Sequence, residues 1–115
     1  QVRDYVYVAD VVRANLAALR IDLSEHETAV VNIATGAGTT VNELWALIAA
    51  AASAAVTPAY APARAGDVRR SVLDASRAKR ALAWEPEIGL ADGIRRTWEW
   101  FAAPVTARTA APGSP

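Results

Sequence analysis

Hydrophobic positions along this chain change period several times, and each change marks an element. Tyr5, Val6, Tyr7 and Val8 form a strand-favouring run with apolar character on both faces, so residues 3–8 are expected to be a short strand covered on both sides. Val12, Leu16 and Leu19 then recur at helical spacing behind Asp10, a residue able to cap a helix. The charged segment 21–28 reads as a loop and holds the only histidine, His26. A second short buried strand is expected over residues 29–33, closed by Thr35-Gly36-Ala37-Gly38.

Thr40-Val41-Asn42-Glu43 has the form of a capping box, and Val41, Leu44, Leu47 and Ile48 share one face of the helix behind it. Pro58 and Pro62 bracket an extended piece that can only be an edge strand or coil. Arg64-Ala65-Gly66-Asp67 forms a tight connection. Asp74 can cap a third helix from Ala75 to about Trp84, which must end before Pro86. In a fourth helix Leu90, Ile94, Trp98 and Phe101 line one stripe, so Trp98 and Phe101 are expected in the core with Trp84. Trp100 lies off that stripe, as an interface residue or a partly exposed aromatic. Residues 102–115 are small, Pro-containing and aperiodic, and read as a disordered tail. The fold class is therefore α/β, with two short buried strands and about four helices. Two such strands make a marginal sheet and call for neighbours from elsewhere.

Composition narrows the picture. Of 115 residues, 53% are hydrophobic, but much of this is alanine, which buries little area per residue. The self-supplied core is expected to be thin, and the isolated chain marginal or aggregation-prone. Twelve basic and 12 acidic residues give a formal net charge of +0, against nucleic-acid binding and against a polybasic membrane role. With no cysteine there is no disulfide framework and no thiolate metal site. The apolar stretch 44–56 is too short to span a bilayer, and Gln1-Val2-Arg3-Asp4 lacks the order of a signal peptide. The chain contains no methionine, which suggests a fragment or a processed product.

Candidate chemistry begins with what is missing. Gly36 and Gly38 supply a G-x-G before a helix, but the third glycine position of a dinucleotide fingerprint is Val41. A Tyr-x-x-x-Lys pair cannot form, because Lys79 is the only lysine and Ala75 stands four residues before it. No Ser/His/Asp arrangement is credible around His26, which reads as a solvated loop residue. Arg77, Lys79 and Arg80, and likewise Arg95 and Arg96, read as solvated helix faces.

Arg3 can aim a planar fork of donors at a phosphate, or pair with Asp4 at the surface. In the 64–67 segment, Arg64 offers bidentate donors to a pyrophosphate and Asp67 offers acceptors to a ribose diol. Gly66 lets the backbone turn and approach a ligand. The same residues also make an ordinary polar turn, and the residues alone do not separate the two.

Six segments stand in an order that resembles the C-terminal part of the extended short-chain dehydrogenase/reductases, in particular NAD-dependent epimerase/dehydratases of the UDP-glucose 4-epimerase type. They are Arg3-Asp4-Tyr5-Val6-Tyr7-Val8-Ala9-Asp10-Val11-Val12, Asn32-Ile33-Ala34-Thr35-Gly36, Arg64-Ala65-Gly66-Asp67, Asp74-Ala75-Ser76-Arg77-Ala78, Leu82-Ala83-Trp84-Glu85-Pro86 and Trp98-Glu99-Trp100-Phe101. The likeness implies that residues 1–101 are the substrate-binding portion of an extended Rossmann-type enzyme whose Rossmann core is missing, with residues 102–115 as the tail. It implies that Arg3 and Arg64 contact the nucleotide diphosphate of a UDP-sugar and Asp67 its ribose. Catalytic residues and the NAD site would lie outside this chain. The complete parent would be a cytoplasmic, NAD-dependent isomerase inverting the sugar C4 centre, as a homodimer. The family often has proline or glutamate where Ala65 stands. An inactive C-terminal portion is the leading expectation, and a stand-alone nucleotide-sugar-binding or interaction module docking on a separate dehydrogenase chain is the alternative.

Overall fold

A computed structural model describes residues 1–22 and 28–104 of the chain. The expectations for His26 and for residues 105–115 of the tail lie outside the described residues. Among the described residues there are four helices and one small sheet: α1 is Val8–Ala18, α2 Val41–Ala51, α3 Ser76–Leu82 and α4 Leu90–Ala102. The strands β1 (Val2–Arg3), β2 (Thr39–Thr40) and β3 (Arg70–Ser71) are each two residues long, with β1 in the centre. β1 runs antiparallel to β2, pairing Val2 with Thr40, and parallel to β3, pairing Val2 with Arg70. Gly38 lets these strands close on one another. A Cβ there would stand 2.8 Å from the Val2 side chain and 3.1 Å from that of Val72.

The α/β class and the four helices agree with the sequence pattern, and the helix starts show why. Thr40 Oγ1 accepts from the Glu43 backbone N–H at 3.1 Å, while the Glu43 carboxylate accepts from the Thr40 N–H at 2.7 Å. This is the reciprocal cap that the spacing predicts. Asp74 acts one position further out than expected, accepting from the Ser76 N–H at 2.8 Å and its hydroxyl at 3.0 Å. α3 stops at Ala83, which turns left-handed at φ 49°.

The strands differ from expectation. Within residues 3–8 only Arg3 belongs to a ladder, and α1 begins at Val8. Asp10 does not cap this helix but lies inside it, fully buried. Its carboxylate accepts from Arg13 Nη2 at 2.7 Å and from the backbone N–H groups of Ile88 at 3.0 Å and Glu87 at 3.2 Å. Its carbonyl accepts from Trp84 Nε1 at 2.9 Å. Trp84, Glu87 and Ile88 lie more than seventy positions away in the chain and hold Asp10 inside α1, while residues 4–7 run as coil between β1 and α1.

Residues 29–33 form no ladder among the described residues, although Val31 and Ile33 face the core while Val30 and Asn32 face out. The core consists of Ala14, Ala78 and Trp84, with Val6, Val31, Ile33, Ala75 and Leu82 packed around it. α1 packs on α3, and α2 on α4. Trp98 and Phe101, expected inside, are 41% and 62% exposed. The buried position of α4 is Gly93, where a Cβ would come within 3.1 Å of the Tyr7 ring, so close approach of that glycine sets the face of the helix. The Cα radius of gyration is 17.8 Å, well above the roughly 13 Å of a compact domain of about 100 residues.

Candidate functional site

The turn after Pro62 places its polar residues on the rim of a cleft. The Asp67 backbone N–H donates to the Arg64 carbonyl at 3.3 Å, closing a four-residue turn. Gly66 sits at φ +86°, where a side chain is strained, although a Cβ would meet nothing within 4 Å. Glycine is needed here for conformation rather than for space. Both flanking side chains are exposed.

The cleft has a volume of about 930 Å³, and Arg64, Asp67, Arg69, Tyr60, Asn42 and Trp45 are among its walls. The Asp67 carboxylate accepts from Gln1 Nε2 at 2.7 Å, which ties the turn to the chain entering β1. The Tyr60 hydroxyl donates to Asn42 Oδ1 at 3.4 Å. Arginine forks, a carboxylate and two aromatic faces on one concavity form a set that can hold a phosphorylated, ring-bearing ligand.

The structure thus brings Arg64 and Asp67 together and leaves Arg3 outside the lining of their cleft. Arg3 is half-buried in β1, paired in register with Ser71, and its Nη1 donates to the Val2 carbonyl at 2.9 Å. Its neighbour Asp4 turns toward the 35–36 turn instead. Asp4 accepts from the Thr35 N–H at 2.9 Å, the Thr35 hydroxyl at 2.6 Å and the Gly36 N–H at 2.9 Å. Burial pushes this carboxyl upward, but the bonds from Thr35 and Gly36 outweigh it and hold the pKa below its ordinary value.

That arrangement also tests whether the glycine turn fits a dinucleotide. A pyrophosphate would need the amides of this turn, and Asp4 already takes those of Thr35 and Gly36. The space above Gly38 is filled by Val2 and Val72. The amides that a pyrophosphate would use at this turn are thus bonded within the chain.

The sequence reading missed Gln1, Asn42, Trp45, Tyr60 and Arg69 as cleft residues. Tyr60 was within reach, since it stands in the same Pro-bracketed piece that leads into Arg64. Asn42 and Trp45 lie on α2, distant in sequence from the turn, and no local spacing marks them. Lys79 pairs with Glu85 at 2.5 Å. Among the described residues no group of three or more metal-ligating side chains gathers, and no helix is long and apolar enough to cross a membrane.

Comparison with known proteins gives this geometry a context. The family model for GDP-mannose 4,6 dehydratase matches residues 1–97. The UDP-glucose 4-epimerase of Mycolicibacterium smegmatis is 42% identical over 99 residues, which are 86% of this chain and 31% of that protein. The crystal structure of Thermotoga maritima UDP-glucose 4-epimerase with UDP-glucose superposes with a TM-score of 0.78 at 49% identity, covering 87% of this chain and 31% of that one. A UDP-glucose 4-epimerase from Stenotrophomonas maltophila, solved with NAD and formylated UDP-arabinopyranose, gives 0.80 at 35% identity and covers 95% and 32%. The chain spans about a third of the length of the relatives it matches.

Proposed function

This chain belongs to the NAD-dependent epimerase/dehydratase family, and we propose that it is the C-terminal, nucleotide-sugar-holding portion of a UDP-glucose 4-epimerase-like enzyme. Residues 1–101 serve as the substrate-binding portion and 102–115 as a tail. In the complete enzyme, a cytoplasmic homodimer, the reaction is inversion at the sugar C4 centre with NAD held outside this chain. The residues present here bind and orient. Arg64 offers its guanidinium fork to the diphosphate, Asp67 accepts from the ribose hydroxyls, and Arg3, on the central strand β1, adds a second cation. Holding the nucleotide far from the reacting carbon spends remote binding energy on positioning the sugar.

The observation that supports this reading best is the Gly66 turn, which sets Arg64 and Asp67 on the rim of one cleft. Calorimetric titration with UDP-glucose tests it. The chain alone should bind more weakly than millimolar, because half of the site belongs to the remainder of the enzyme. Put in place of the matching part of the M. smegmatis epimerase, it should support activity. There, Arg64→Ala or Asp67→Ala should raise KM about tenfold while changing kcat less. Wild-type KM in both variants would refute the assignment. Micromolar affinity of the chain alone, lost in Arg64→Ala, would favour a stand-alone nucleotide-sugar-binding module instead.

A further inference from the structure

Three charged residues line the cleft, Arg64, Asp67 and Arg69. A carboxylate with one guanidinium three positions before it and another two positions after it has two attractive partners close by. Asp67 takes neither among the described residues. Its Oδ2 accepts instead from a neutral group, the Gln1 side-chain amide, at 2.7 Å. Arg64 and Arg69 likewise form no ion pair among the described residues. The cleft thus keeps its opposite charges apart, and an amide stands between them.

The backbone roots that amide from two sides. The Gln1 carbonyl accepts from the N–H of Val41, the first residue of α2, at 3.0 Å. The next residue, Val2, donates its N–H to the Arg69 carbonyl at 2.8 Å and pairs in register with Arg70. Gln1 is therefore fixed both to the helix that walls the cleft and to the segment leaving the 64–67 turn. A side chain set on so fixed a backbone has less freedom to lose when it bonds. We infer that Gln1 is a positioning residue: its amide holds the Asp67 carboxylate off Arg64 and Arg69, leaving their forks open to a diphosphate and one carboxylate oxygen open to a ribose hydroxyl. The inference rests on the nucleotide-sugar reading above and adds the residue that keeps that site ready. A neutral donor suits the task, since it engages one oxygen of the carboxylate without bringing a charge that competes for the diphosphate.

The test is calorimetric titration of the hybrid enzyme, in which this chain replaces the matching part of the M. smegmatis epimerase, with UDP and with 2′,3′-dideoxy-UDP. Gln1→Ala should weaken UDP about tenfold and the dideoxy nucleotide about threefold. The smaller loss is expected because the dideoxy sugar has no hydroxyl for Asp67 to accept from. Gln1→Met, which keeps the length of the side chain and removes its donor, should do the same. In an Asp67→Ala background neither change should alter affinity by more than about twofold. A merely structural role for Gln1 would not produce that dependence on Asp67.

Wild-type UDP affinity in both Gln1 variants would overturn the inference, and if Asp67→Ala still weakens UDP the nucleotide-sugar assignment stands without it. An equal loss for both nucleotides that persists without Asp67 would also overturn it, and would make Gln1 a support of β1 instead. If Asp67→Ala binds UDP as the unaltered hybrid does, or the hybrid binds neither nucleotide, the nucleotide-sugar assignment fails and takes this inference with it.

Discussion

Two aspartates, Asp10 and Asp67, each have an arginine three positions away, and their fates differ. Asp10 is fully buried and accepts from Arg13 and two backbone amides, with the Trp84 indole on its carbonyl. Asp67 is exposed and accepts from the Gln1 side-chain amide, while Arg64 takes part in their turn through its backbone. The same residue pair, three apart in both cases, is an architectural bolt where partners converge and an exposed turn on a cleft rim where they do not. Spacing alone cannot tell these roles apart; the number of converging donors can.

Substitution should separate the two regions. The largest effect is expected at Asp10. Asp10→Ala strips partners from buried amides and from Arg13, and should cost about 3 kcal/mol in urea unfolding. A loss below about 0.5 kcal/mol would dissolve the contrast. Gly38→Ala comes next, at about 2 kcal/mol, because its methyl must displace Val2 and Val72. Removing one half of the α2 cap with Thr40→Ala should cost about 1 kcal/mol. At the other end, Arg64→Ala should change stability by less than about 0.5 kcal/mol, with its effect confined to nucleotide binding.

The pH dependence sharpens the same contrast. Burial would raise the Asp10 carboxyl, but the bonds from Arg13, Ile88 and Glu87 prevail and hold it below its ordinary 3.8. Its folded-state pKa is thus depressed relative to the unfolded chain. The contribution to stability is therefore fully present above about pH 4 and is lost as the pH falls through the folded value. Asp10→Asn should flatten this acid limb of the unfolding profile, and an unchanged limb would assign it to other carboxylates such as Asp4.

Legibility in the sequence followed the range of the interaction that fixed each element. The Thr40–Glu43 cap, the Asp74 signal before α3 and the start of α4 at Leu90 are local, and all were readable. Residues 5–7 misled because they find no ladder partner among the described residues, and Val8 because contacts from the far end of the chain seat Asp10 within a helix that begins there. Trp98 and Phe101 have core-like periodicity, but Gly93, against Tyr7, decides which side of α4 faces inward. β3 was not foreseen at all, since Arg70 and Ser71 are ordinary loop residues until β1 pairs with them. In the candidate site Arg64, Gly66 and Asp67 were legible because one turn carries them. The walls from α2 were not, because only the folded chain brings Asn42 and Trp45 there.

The β1–β3 pairing has a consequence for the order of events. Gln1 meets Asp67 across 66 positions, and the parallel ladder beside it is two residues long. Closing so large a loop carries an entropic cost that few contacts repay, so such pairings form late. α2 can nucleate early from its own cap, whereas the 64–67 turn acquires its orientation only when the two distant strands meet. A nascent or partly opened chain would thus keep helical signal while the cleft beside that turn is still unformed. In a temperature-jump experiment, the Gln1–Asp67 contact should be among the first lost and the last regained.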